Sequence, residues 1–84
     1  MKPIRLSAHA LGYLMMRGFT VAEVEETIRT SPWGKAELGR LECRKDFPFN
    51  AEWNGHRYAT KQVRPIFVDE PEEILVITVY TYYY

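Results

Sequence analysis

Apolar residues follow a helical period twice in the N-terminal third of the chain and a strand period in the rest. In "SAHALGYLMMRGFT" (residues 7–20), Ala8, Leu11, Leu14 and Met15 fall on one side of a helix turning about 100° per residue. Ser7 has the hydroxyl of an N-cap, Leu6 and Leu11 stand at staple positions, and Gly18 offers a left-handed stop. Thr20 opens a second helix: Thr20 and Glu23 form a capping-box pair, and Phe19 and Val24 form its staple. Val21, Val24 and Ile28 make its apolar face, and Pro32 and Gly34 in "TSPWG" end it. Only Gly18 and Phe19 separate the two helices, which predicts a tight helical pair.

Beyond residue 35 the pattern is that of strands. "ELGRLECRKDF" is a first strand candidate, weakened by Gly39. In "AEWNGHRYATKQV" two alternating runs flank Asn54-Gly55, the pair favoured in a type I′ hairpin turn because both central residues need positive φ. The returning strand continues into "RPIFV", where Pro65 implies a bulge or an unpaired edge position. "DEPEE" (69–73) is a turn, and "ILVITVYTYY" is a final strand whose unbroken apolar run implies a central position in the sheet. "IRL" (4–6) is a short leading strand. The expected fold is α+β: one domain over residues 1–84, with two N-terminal helices on one face of an antiparallel sheet of three to four strands.

Composition changes this picture little. The 84 residues are 46% hydrophobic and 26% charged, which excludes a disordered or low-complexity chain. No secretory signal pattern or membrane-length apolar run is present, so the expectation is a cytoplasmic protein without a membrane partner. One cysteine, Cys43, two distant histidines and no CxxC leave no metal-ligand spacing, and no cofactor motif occurs. The net charge is zero, but the signs are segregated: residues 40–64 carry six basic and three acidic side chains, while "DEPEE" holds four acids. A neutral total therefore leaves room for a local basic surface.

Three groups could carry chemistry. Opposite the first helix's apolar stripe lie His9, Tyr13 and Met16, an unusual exterior that implies a cover or a partner. An imidazole such as that of His9 could act as a general base, and a helix start can offer N–H groups to an anion. A histidine that merely orders the helix start is the simpler alternative. Arg57, Lys61 and Arg64, interleaved with Tyr58, could clamp phosphates or form the solvated face of a hairpin. Regular alternation puts Arg57 and Lys61 on one face and Arg64 on the other. Thr78 and Tyr80 share a face of the last strand, and either hydroxyl could donate to a phosphoryl oxygen or simply satisfy a neighbour. The tail Tyr82, Tyr83 and Tyr84 fits a dimer or partner contact.

The segment Ser7–Ile28 resembles the helical hairpin of a small prokaryotic domain-of-unknown-function family, number 4258, which reads S-x-H-A, R-G-[IF]-T, then E-V. That family looks like a relative of the RelE-type toxins within the barnase–colicin–RelE group of metal-independent ribonucleases. The resemblance implies a RelE-like fold, an RNase toxin acting on RNA or at the ribosome, and an antitoxin-like protein partner. It carries over His9, Arg17 and Thr78, which stand at the pattern's own positions; the arginine often found four residues after the histidine is Tyr13 here.

Two functions compete. As an endoribonuclease, the chain would use His9 as base, with Arg17, Lys61 or Arg57 stabilising charge and Thr78 or Tyr80 orienting the phosphate. As a non-catalytic interaction module of the same fold, it would bind a partner or a second copy through Tyr13, Met16 and Tyr82 to Tyr84.

Overall fold

The computed structural model describes residues 2–84. In chain order the elements are β1 (Ile4–Leu6), α1 (Ala8–Gly12), α2 (Leu14–Arg17), α3 (Val21–Thr30), β2 (Gly34–Lys35), a 3-10 turn (Glu37–Gly39), β3 (Leu41–Glu42), β4 (Lys45–Trp53), β5 (His56–Asp69) and β6 (Ile74–Tyr83). This is an α+β domain with a six-stranded mixed sheet in the order β1-β6-β5-β3-β2, with β4 also paired to β5. The sheet is larger than the expected three or four strands, and β1 runs parallel to β6. The connection that makes this parallel pairing carries the helices and most of the chain, so no local pattern signals it.

The long β5–β6 ladder organises everything else. Lys61 to Asp69 pair along β6, while the opposite edge of β5 is shared between β4 and β3. Pro65 stands where β4 has ended, at Lys45↔Val63, and β3 has begun, at Glu42↔Ile66. The expected irregularity at Pro65 is therefore a change of partner, and the bulge of the ladder lies in β6. Ile66 faces Thr78 and Phe67 faces Val76, leaving Ile77 as the extra residue. Ile74 and Val76 on one side of this bulge and Val79 on the other are all buried. Thr78, Tyr80 and Tyr82 are thereby turned to the opposite face, beside Ile66, Arg64 and Gln62.

One face of the sheet carries the core, where Phe19, Val24 and Ile28 pack with Cys43, Val63, Phe67, Ile74, Val76 and Val79. Trp33 closes one side with its ring edge-on to Phe67 at 5.0 Å and its Nε1 donating to the Ile28 carbonyl. The second helix has the expected capping box, and Gly18 (φ 76°) and the Asn54-Gly55 turn (φ 50° and 81°) are left-handed as expected.

The first helix differs from expectation. It breaks at Tyr13 (φ −97°, ψ 0°) into two short helices lying along the β6 edge beyond β1. Ser7 caps α1 and also donates its hydroxyl to the Ile77 carbonyl, pinning the helix start to the bulge. Ala10 is buried and Tyr13 and Leu14 pack on the core, whereas Leu11, Met15 and Met16 are 50%, 86% and 70% exposed. The apolar stripe Ala8/Leu11/Leu14/Met15 is therefore not the buried face. Ser7 and Arg17 are both bonded to β6 carbonyls, and with the helices so held Tyr13 is partly buried and the methionines face out.

Candidate functional site

On the face of the sheet away from α3 is a cleft of about 530 Å³, lined by Lys35, Glu37, Arg40, Glu42, Arg64, Ile66, Thr78 and Tyr80, among others. Its floor is the β5–β6 ladder, so the bulge at Ile77 is what delivers Thr78 and Tyr80 to it. Its wall is the segment around the 3-10 turn, where Leu38 adopts a left-handed φ of 59°.

Arg17 does not line this cleft but reaches its floor residue Thr78 from the β6 edge. Its Nη1 donates to the Thr78 hydroxyl oxygen at 3.3 Å and the Val79 carbonyl at 2.9 Å. Its guanidinium lies 4.0 Å from the Tyr13 ring centre and 5.1 Å from that of Tyr80. On the far side, Arg64 lies 5.6 Å from the Tyr80 ring and donates to the Tyr82 hydroxyl at 3.3 Å. The His9 ring lies against Tyr13 in a tilted contact, centroids 4.9 Å apart. Rings and guanidiniums alternate in a ladder from Tyr13 through Arg17 and Tyr80 to Arg64, with His9 against Tyr13 at one end and the Tyr82 hydroxyl bonded to Arg64 at the other. Such a surface suits bases, which stack on either group, and the phosphates between them.

Arg64 is the most constrained cation of the cleft. Its Nε and Nη2 hold the two oxygens of Glu42 at 3.2 and 2.7 Å. Glu42 also accepts from Arg44 at 3.1 Å. The hydrogen bonds from Arg64 and then Arg44 hold the Glu42 carboxyl below the usual carboxylate range.

Other residues singled out from the sequence lie elsewhere. Lys61 is buried on the core face, with its ammonium 2.9 Å from Glu23 and donating to the Gly18 carbonyl at 2.9 Å. It does not join Arg17, Thr78 and Tyr80, because alternation along β5 sends Lys61 and Arg64 to opposite faces. Arg57 is exposed near the hairpin and donates to the Asn50 carbonyl at 3.0 Å, in the bulge of β4. Tyr83 packs into a cluster with Phe49, Trp53 and Tyr58, and Tyr84 donates to Asp46. The tyrosine tail is thus split three ways: Tyr82 joins the cleft side, Tyr83 the aromatic cluster, Tyr84 the β4 edge.

Glu42 was not singled out from the sequence, nor were Lys35, Glu37 and Arg40. The signal for Glu42 was present in "RLECR", where Arg40, Glu42 and Arg44 recur at strand spacing with one acid between two bases. Among the described residues no group of three or more His, Cys, Asp or Glu side chains could hold a metal ion, and no helix is long and apolar enough to cross a membrane. Comparison with protein-family models, with curated proteins and with solved structures found no match.

Proposed function

We propose that this chain is a metal-independent endoribonuclease of toxin type, RelE-like in fold, that acts in the cytoplasm on single-stranded RNA laid along the ladder from His9 to Arg64, beside the cleft. One observation carries the reading: two guanidiniums flank Tyr80 above a threonine hydroxyl, on a ladder that ends in a histidine. In the reaction, a ribose 2′-oxygen attacks the adjacent phosphorus as His9 takes its proton. The new 2′-O–P bond forms, the P–O5′ bond breaks, and the Tyr80 phenol protonates the leaving 5′-oxygen. Arg17 and Arg64 neutralise the charge that builds on the phosphorane oxygens, and the Thr78 hydroxyl orients one of them. The products are a 2′,3′-cyclic phosphate and a 5′-hydroxyl end.

The test is cleavage of a short single-stranded RNA by purified protein, with mapping of the new ends. Arg17→Ala is expected to slow cleavage about 100-fold or more. His9→Ala is expected to slow it by a similar factor. Intact RNA with folded wild-type protein overturns the reading.

A second reading, a partner-binding module, has its own observation in the exposed trio Leu11, Met15 and Met16. An antitoxin-like protein or a second copy of the chain would cover it. It is favoured if the RNA stays intact while Met15→Lys dissolves an assembly formed by the wild type.

A further inference from the structure

Glu42 occupies the place a phosphate would take. A guanidinium reads a phosphodiester by donating two parallel N–H bonds to its two non-bridging oxygens, the same fork it offers a carboxylate. In Arg64 that fork, Nε and Nη2, is already filled by Glu42, and Nη1 is turned to Tyr82. The cleft's most constrained cation is therefore engaged by the protein's own anion.

The surroundings offer Glu42 a second partner. Glu42 belongs to β3, a strand of two residues with two register pairs to β5 and two to β2. The side chains of Glu42 and Arg64 keep 18% and 25% of their surface open to solvent. Arg44 already donates to the Glu42 oxygen that faces Arg64 Nε. A carboxylate leaving Arg64 thus keeps a cationic partner, and no unpaired charge is left behind.

We propose that Glu42 is an internal competitor for the phosphodiester seat on Arg64, displaced toward Arg44 when RNA binds. This rests on the ribonuclease reading of the same cleft and adds its regulation. The carboxylate keeps the guanidinium fork oriented when the cleft is empty and lowers the affinity for an isolated phosphate. RNA that also engages Arg17 and stacks on Tyr80 gains enough contact to displace it.

The experiment measures binding and cleavage of a fluorescent single-stranded oligoribonucleotide by wild type, Glu42→Gln, Glu37→Gln and the double variant Glu42→Gln/Arg64→Ala. Glu37 lines the same cleft but makes no ion pair with Arg64, so Glu37→Gln controls for the loss of one negative charge. Glu42→Gln is expected to bind about tenfold more tightly than wild type, Glu37→Gln less than about twofold, and the double variant to lose the gain. Thermal melting identifies a variant that fails to fold, and Glu42→Asp, with its shorter reach to Arg64, then replaces Glu42→Gln with the same expected direction. Equal or weaker binding by folded Glu42→Gln means that Glu42 only orients Arg64, and overturns the proposal. An equal gain in Glu37→Gln also overturns it. Tighter binding by Glu42→Gln with no cleavage by any variant retains the competitor and removes the ribonuclease. Cleavage by wild type with no gain in Glu42→Gln removes the competitor alone.

Discussion

Gly18 joins the two halves of the molecule at one residue. Its φ of 76° disfavours any side chain, and a Cβ there would lie 2.7 Å from the Trp53 ring and clash with the Tyr83 hydroxyl. The carbonyls of Arg17 and Gly18 both accept side-chain hydrogen bonds. Arg17's oxygen accepts from Thr81 at 2.6 Å and Tyr83 at 2.9 Å, and Gly18's accepts from Lys61. These three side chains cap α2 and fix the backbone from which the Arg17 guanidinium reaches Thr78. Gly18→Ala is expected to cost about 2 kcal/mol or more in urea unfolding, from the left-handed φ and the displaced ring together. On the proposed ribonuclease reading it should also slow RNA cleavage beyond what its stability loss explains, since Arg17 moves with it. At this scale the sequence showed that Gly18 ends a helix, because that is a local backbone requirement. It did not show that Trp53 and Tyr83 sit on the glycine, because they come from strands 35 and 65 residues away.

Elements differ in how much of them is written locally. The Thr20/Glu23 capping box and the Asn54-Gly55 hairpin were legible because each is closed by residues within a few positions. The buried face of α1 and α2 was not. Hydrophobic periodicity presumes that the longest apolar side chains face the core, but here the helices lie on a strand edge and are held by Ser7 and Arg17. Ala10 fits where the backbone comes close to the sheet, and Leu11 and Met15 are left outside. Leu11→Lys and Met15→Lys are therefore expected to change stability by less than about 0.5 kcal/mol in denaturant melts. Ala10→Leu is expected to cost about 1–3 kcal/mol by overpacking. The reverse ranking would restore the stripe read from the sequence. The bulge at Ile77 was likewise illegible, since it exists only relative to the register of β5, yet it determines which face Thr78 and Tyr80 occupy.

At the scale of the molecule, carboxylates are held by hydrogen-bond donors on other elements. Arg5 on β1 holds Glu73 with two bonds, Arg64 on β5 holds Glu42 on β3, and Tyr84 and Gln62 donate to Asp46 on β4. Hydrogen bonding to these partners keeps all three carboxyls below their ordinary values of 4.5, 4.5 and 3.8. The unfolded chain therefore takes up protons first as the pH falls. Stability contributed by these pairs is present above about pH 4.5 and is lost as the pH drops through the folded values. Melting temperature is expected to be flat from pH 7 to about pH 5 and to fall below that, with a shallower fall in Glu42→Gln. A melting temperature that rises on acidification would contradict this arrangement. The zero net charge visible in the sequence hides it, because the pairing depends on which strands are neighbours.

The parallel pairing of β1 with β6 also has a consequence in time. Ile4, Arg5 and Leu6 find their partners only at Ile74, Leu75 and Val76. Ser7 and Arg17, which seat the short helices, likewise wait for carbonyls of Val76, Ile77 and Val79. During synthesis, residues 4–17 have no sheet to settle on until β6 has left the ribosome. Thr78 and Tyr80, and the anchor that Arg17 uses, arrive in that same step, so a nascent chain still lacking β6 cannot carry the finished cleft.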